Sequence, residues 1–203
     1  MNLFWWASLG YLAGSFPTGY LVVLCIKRVD IRTIGSGGTG ATNVGRLLGN
    51  SWAKAVAVID MLKGALPMVC AMLLAVEDPW IVPLAGFAGV VGHNYPVWLS
   101  FRGGKGVATT YGVVFFMNPW ISFVVALAGG AVWLALLKLK GYVSLASMAS
   151  LWCLPIFALL LSLPLPQIIV MSALAALTTL RHKDNIKRLA RGEESRFGRN
   201  RDS

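Results

Sequence analysis

The chain has 203 residues, 57% hydrophobic and 13% charged, against roughly 45–50% apolar and about 25% charged in a soluble domain. With a mean hydropathy of +0.68 its polar residues are too few to cover a water-soluble globule, and disorder is excluded on the same ground. An integral membrane protein is expected, so the net charge of +10 has to be read by position and not as a nucleic-acid signal.

The first apolar run, Leu3–Ile26, is too long for the h-region of a signal peptide, and Met1-Asn2 supplies no basic flank. It reads as a retained transmembrane helix. Further runs follow at Trp52–Val76, Trp80–Leu99, Val107–Met117, Trp120–Leu137, Val143–Leu163 and Leu165–Leu180, where about 20 mainly apolar residues suffice to cross a bilayer. The run from Val107 would rise only about 17 Å as a helix. Asn118-Pro119 then punctuates it, because the residue before a proline tends to leave the helix.

Charge decides whether that short run crosses. Seven crossings with the N-terminus outside place every one of the 18 Lys and Arg residues except Lys63 on the cytoplasmic side, leaving Glu77 and Asp78 outside. Without the short crossing, Lys138, Lys140 and the basic tail from about residue 181 to 203 would be exported, against the positive-inside rule. The expected architecture is all-α: one integral membrane domain over residues 1–203, with seven transmembrane helices and a cytoplasmic C-terminus. Phe4, Trp5, Trp6, Trp52, Trp80, Trp98 and Trp120 fall near span ends and are expected as interfacial anchors. Gly129-Gly130 is expected to allow close helix packing. Cys25, Cys70 and Cys153 are far apart in apolar runs, with neither metal-ligand nor disulfide spacing.

Chemistry concentrates in the cytoplasmic connections. Gly35-Ser36-Gly37-Gly38-Thr39-Gly40-Ala41-Thr42-Asn43-Val44-Gly45-Arg46 mixes glycines with hydroxyls, so its backbone could turn N–H groups toward one anion. Ser36, Thr39 and Thr42 add hydroxyls, and Arg46 adds a fork for phosphate oxygens. No Lys-Ser/Thr follows the last glycine, so it is not a Walker A loop; a plain flexible turn is the competing reading. The second segment is Gly92-His93-Asn94-Tyr95-Pro96 followed by Phe101-Arg102-Gly103-Gly104-Lys105-Gly106. Lys105 stands between glycines that permit close backbone approach, and the short helix that follows presents its positive N-terminal end. His93 reads equally as a buried support for this loop or as a substrate contact.

The third segment runs Arg181-His182-Lys183-Asp184-Asn185-Ile186-Lys187-Arg188-Leu189 and on to Gly192-Glu193-Glu194. His182, Asn185 and Leu189 share one helical face, where His182 and Asn185 could hold a polyol hydroxyl. Lys183, Lys187, Arg191 and Arg199 suit attraction to anionic lipid. Asp60 and Lys63 lie one turn apart inside the second span, and a mutual ion pair is the favoured reading over a direct functional role.

These segments resemble the bacterial acyl-phosphate-dependent glycerol-3-phosphate acyltransferases (PlsY). The likeness rests on Gly35–Arg46 with Asp30-Ile31-Arg32 before it, Gly92–Gly106 and Arg181–Glu194. Asp60-Met61-Leu62-Lys63-Gly64 and Gly14-Ser15-Phe16-Pro17-Thr18-Gly19 support it. One departure is Gly38, where the family usually has Asn. The resemblance implies transfer of an acyl group from acyl phosphate to the sn-1 hydroxyl of glycerol 3-phosphate, giving lysophosphatidate and phosphate in the first acylation of phospholipid synthesis. It implies Ser36, Arg46, Lys105, His182 and Asn185 as catalytic residues. Gly37, Gly38, Thr39, Gly40, Thr42, Asn43, His93, Gly103, Gly104, Gly106 and Arg188 are expected at the substrates or their phosphates.

No cofactor or metal is expected, since no carboxylate cluster calls for one, and membrane lipids are the remaining partner. The expected location is the bacterial inner membrane, with the site at its cytoplasmic face. The main rival is a transporter for a phosphorylated metabolite, which would bind near the bilayer midplane. A CDP-alcohol phosphotransferase would need several metal-binding aspartates, whereas Asp60 is the only intramembrane acid.

Overall fold

The computed structural model describes residues 3–74, 76–118 and 120–197, and among them every regular element is helical. Pro119 and the tail residues Arg199 and Arg201 lie outside the described residues, as do Met1 and Asn2. The chain separates into two compact units, one ending at Met117 and one starting at Asn118.

The N-terminal unit begins with α1 (Leu3–Gly14) and α2 (Thr18–Lys27). The single first helix expected from the apolar run is thus broken at Ser15-Phe16-Pro17, because Pro17 has no N–H and fixes the backbone where α2 begins. α3 (Ala41–Leu48) and α4 (Asn50–Leu73) are separated by Gly49 at φ +89°, a conformation that glycine adopts readily. α5 (Ile81–Asn94) ends five residues before the apolar run does, and a short 3₁₀ turn takes up Val97–Leu99. α6 (Val107–Met117) keeps the boundaries read from the sequence.

Backbone-to-backbone approach holds this unit together. A Cβ at Gly14 would collide with the Gly89 backbone, and one at Gly112 with that of Met61, so α1 meets α5 and α6 meets α4 through glycine faces. Between apolar helices in lipid, such close van der Waals packing replaces the hydrophobic drive available in water. Val23, Ile31, Val44 and Val56 form a separate buried cluster that fastens α3 to α2 and α4.

The C-terminal unit packs α7 (Ile121–Lys140), α8 (Val143–Leu160) and α9 (Leu165–Arg181), followed by short α10 (Lys183–Ala190). Gly141 at φ +75° closes α7, and Pro164 precedes α9. Polar side chains tie the helices: Trp133 Nε1 donates to Ser147 Oγ at 3.0 Å, and Trp152 Nε1 to Thr179 Oγ1 at 3.1 Å.

Four stretches are long and apolar enough to cross a bilayer: Leu3–Lys27, Asn50–Leu73, Ile121–Lys140 and Val143–Leu160. Val107–Met117 and Leu165–Arg181 are shorter apolar helices. Most of the expected aromatic anchors are exposed, Trp120 at 82% and Phe4 at 72% among them. Trp6 is the exception: it is buried in the core at 2% exposure, so its side chain packs inward instead of anchoring. Gly129 is buried, but a Cβ at Gly130 would meet nothing within 4 Å, so close packing does not explain the second glycine.

Candidate active site

The first polar segment is shaped from both ends. Asp30 caps the 3₁₀ turn Ile31–Thr33 by accepting the Arg32 N–H at 2.9 Å, and the Arg32 guanidinium folds back on its carboxylate at 2.6 Å. Hydrogen bonding to Arg32 holds the Asp30 carboxyl below its ordinary value, against a smaller opposing effect of burial. Arg32 also lies over the Tyr20 ring and donates through Nη1 to Leu99 O at 3.2 Å. That last bond ties the first polar segment to the start of the second.

Asn43 then gathers the glycine loop. Buried at 2% exposure on α3, it donates from Nδ2 toward the carbonyls of Ile31, Ile34 and Gly38 at 3.0–3.3 Å, and its Oδ1 accepts the Ser36 N–H at 3.2 Å. Gly35 and Gly37 take φ values of +61° and +68°, which the loop needs to turn around that amide. Gly37 N–H donates to Ile34 O at 3.1 Å. Two backbone donors expected to face an anion, those of Ser36 and Gly37, are therefore spent inside the loop.

What the loop turns outward is the Ser36 side chain, with Thr42 and Arg46 exposed on α3. Gly40 precedes α3 in an extended conformation with no side-chain cap, so the helix N-terminus opens beside these residues. Thr39 is buried, its carbonyl against Gly19. A Cβ at Gly38 would meet only Ser36 Oγ, at 3.8 Å, so packing does not demand glycine at the family's asparagine position.

The second segment folds back onto the end of α5. Ser100 and Phe101 both take positive φ, +52° and +61°, a region that non-glycine residues rarely occupy. The chain then reverses so that Gly103 N–H donates to Asn94 O at 3.2 Å and Gly104 N–H to His93 O at 3.1 Å. A side chain at Gly104 would collide with the His93 ring. Gly106, at φ +77°, leads into α6 over the buried Asn94 side chain. Gly103, Gly104 and Gly106 are thus buried, and close approach to α5 is what requires them here, while Lys105 between them is half-buried. His93, read two ways in the sequence, is 6% exposed beneath this turn, with Nδ1 3.6 Å from Asp60 Oδ1. Asp60 and Lys63 form the expected ion pair, at 2.8 Å.

The third segment belongs to the C-terminal unit. His182 joins α9 to α10 and is 3% exposed, its Nδ1 2.8 Å from Thr178 O. A carbonyl only accepts, so Nδ1 carries the proton in this contact. Asn185, 6% exposed and one turn on, donates from Nδ2 to Glu194 Oε1 at 2.6 Å. Glu194 also accepts from Ser144 Oγ at 2.8 Å and pairs with Arg188 Nε at 2.7 Å. Burial would raise the Glu194 pKa, but hydrogen bonds from Asn185, Ser144 and Arg188 overcome it and hold the carboxyl below its ordinary value. The Arg188 charge, expected at a substrate phosphate, is engaged with this carboxylate.

Three residues take roles in the folded chain that the sequence does not assign them: Asn43 is the clamp of the first loop, Arg32 the tie between two loops, and Glu194 the hub of the third segment. Their local signals were an amide at the start of a short helix, an acid two residues before an arginine, and an acid just past a helix-ending glycine. Among the described residues no group of three His, Cys, Asp or Glu side chains is placed to hold a metal ion.

Comparison with known proteins identifies the frame in which these parts occur. The family model described as glycerol-3-phosphate acyltransferase matches residues 4–192. A glycerol-3-phosphate acyltransferase of Synechococcus elongatus is 46% identical over 199 residues, covering 95% of this chain and 93% of that one. That of Aquifex aeolicus is 42% identical over 187 residues, covering 92% and 95%. Among solved structures, PlsY (YgiH), an integral membrane glycerol 3-phosphate acyltransferase, in its glycerol 3-phosphate form matches with a TM-score of 0.89 at 40% identity, covering 97% of this chain and 96% of that one. Its lysophosphatidic acid form gives 0.86 at 38% identity.

Proposed function

The chain belongs to the glycerol-3-phosphate acyltransferase family and is a multi-pass membrane protein; on that premise we propose that it acylates the sn-1 hydroxyl of glycerol 3-phosphate from acyl phosphate. The products are lysophosphatidate and inorganic phosphate, in the first acyl transfer of bacterial phospholipid synthesis. The observation that supports this reading is the Arg32–Leu99 hydrogen bond, which links the turn before the Ser36/Arg46 loop to the turn before the Lys105 loop within the N-terminal unit.

Both substrates are phosphorylated, so the reaction asks for cations and hydroxyls before it asks for a strong base. In the proposed step the sn-1 oxygen attacks the acyl carbonyl carbon, its new C–O bond forms, and the acyl–phosphate C–O bond breaks. The departing phosphate takes that electron pair. Lys105 and Arg46 neutralise phosphate charge where it develops, the kind of fixed electrostatic help that lowers such barriers most. Ser36 and Thr42 donate hydroxyls to phosphate oxygens, with Gly38, Thr39 and Gly40 supplying backbone. Asn43, His93, Gly103, Gly104 and Gly106 shape the loops.

His182 and Asn185 position the glycerol hydroxyls. The proton leaves the sn-1 oxygen for His182 Nε2 or for a phosphate oxygen of the substrate. Seven spans with the N-terminus outside, and a site at the cytoplasmic face of the inner membrane, complete the proposal, on the strength of the basic residues in the connections.

The test is phosphate release from acyl phosphate by the purified protein, with and without glycerol 3-phosphate. Release that depends on glycerol 3-phosphate and survives chelation of divalent metal supports the reading. Release without acceptor, or activity with acyl-CoA alone, overturns it. Uptake of glycerol 3-phosphate into protein-loaded vesicles without acylation would favour a transporter instead.

A further inference from the structure

A charged pair within an apolar span is costly to bury, and well-packed apolar side chains would hold α4 in its bundle at less cost. Asp60 and Lys63 are 1% and 9% exposed, so they carry that cost in full. What they touch gives the pair a task. Lys63 Nζ sits 2.8 Å from Asp60 Oδ1 and donates to Phe16 O at 2.7 Å, a carbonyl in the break between α1 and α2. The same Asp60 Oδ1 lies 3.6 Å from His93 Nδ1. The His93 ring lies directly beneath Gly104, and its own carbonyl accepts the Gly104 N–H at 3.1 Å. One residue on, Asn94 O accepts from Gly103. Gly92, just before His93, packs on the backbone of Tyr11 and Ser15, which brings the break in the first span to the same place.

These contacts form a line from Phe16 through Lys63, Asp60 and His93 to Gly104, the residue before Lys105. We propose that Asp60 and Lys63 are positioning residues for acyl transfer: the intramembrane ion pair fixes the His93 ring, and that ring sets the height and direction of the turn that carries Lys105. The inference rests on the acyl-transfer reading above for the role of Lys105. Its structural half, that the pair holds the turn, stands apart from that reading. An ion pair suits the task because its partners lie on one helix and present a fixed charge to the imidazole. A dispersion contact would favour neither of the two orientations that the ring can take about χ2.

The test replaces both charges at once, Asp60→Leu with Lys63→Met, so that no lone charge is left in the span. A second variant, His93→Gln, cuts the line at its last link and leaves the ion pair in place. In each, kcat and KM for glycerol 3-phosphate are measured by phosphate release, and amide hydrogen exchange is followed at Gly103 and Gly104. The expected result is a kcat lower by at least tenfold with KM changed less than threefold, and exchange at those amides faster by at least tenfold. Helices α7–α9 keep their protection. A stabilising role alone would lower the melting temperature and leave kcat of the folded fraction unchanged. Wild-type kcat together with wild-type exchange in either folded variant overturns the proposal. Should the double variant fail to fold, His93→Gln decides it. Should the unmodified protein release no phosphate that depends on glycerol 3-phosphate, the acyl-transfer reading fails, while exchange at the two amides still shows whether the pair holds the turn.

Discussion

In the unit ending at Met117, the polar loops are held by many small contacts: the Asn43 amide, the carbonyls of His93 and Asn94, and the Asp30–Arg32 pair. In the unit starting at Asn118, Ser144, Asn185 and Arg188 all converge on one carboxylate, Glu194. The first arrangement spreads the shape of the site over backbone that glycine makes possible. The second concentrates it on a single titratable group. Changes to the first unit's framework should therefore be graded by position, whereas the second should respond to one residue and to pH.

The largest effect is expected at the two cations proposed to meet substrate charge. Arg46→Ala or Lys105→Ala should lower phosphate release by about 10²–10³-fold, the usual cost of removing a group that stabilises developing charge. Both variants should still fold. Near-normal turnover in either variant would remove it from the catalytic set. Next comes the clamp. Asn43→Ala takes away the partner of the Ser36 N–H and of the Gly38 carbonyl, while the Ile31 and Ile34 carbonyls keep their backbone donors; at no more than about 1–3 kcal/mol for each group left unsatisfied, activity should fall by about tenfold to a hundredfold. Proteolysis within residues 31–43 should accelerate along with it.

Glu194→Gln keeps an acceptor for Asn185 but loses the charge that Arg188 meets, so a smaller loss of about three- to tenfold is expected in steady-state rate. The same carboxylate predicts an acid response. Its folded pKa lies below the ordinary value of 4.5, so its stabilising contribution is complete above that pH and is lost as pH falls through the lowered folded value. Melting followed from neutral pH to below 4.5 should show an acid-side loss in the wild type that is weaker in Glu194→Gln. The smallest effect belongs to Asp30→Asn. That pair is partly exposed, and with surface pairs worth about 0–1 kcal/mol, turnover should change by less than about threefold. A large loss at Asp30 would mean that the first unit also depends on one ion pair.

Much of this was legible in the chain itself, and the reasons are local. Apolar runs gave the helices because a helix satisfies backbone polar groups in lipid within a single continuous segment. The α6 boundaries and the Asp60–Lys63 pair followed from composition and one-turn spacing. The polar segments were visible because glycines, hydroxyls and cations interrupt apolar sequence. Where the reading diverged, contacts between distant residues were responsible. Trp6 looks like an interfacial anchor until the helices around it fill its surroundings. Gly103 and Gly104 look like an anion cradle until the end of α5 takes their N–H groups.

The sequence alone determined a helical membrane chain, as the described residues bear out, and the residues proposed to carry its chemistry, since both follow from hydropathy, spacing and residue type along a single strand of text. Only the tertiary structure decided which polar groups face outward and which are consumed in holding the loops. The contacts of Arg32 with Leu99, Asn43 with the glycine loop, His93 with Asp60 and Glu194 with Ser144 reach another loop or helix, or form only once the loop has closed, where hydrogen-bond geometry and burial, not sequence spacing, make the choice.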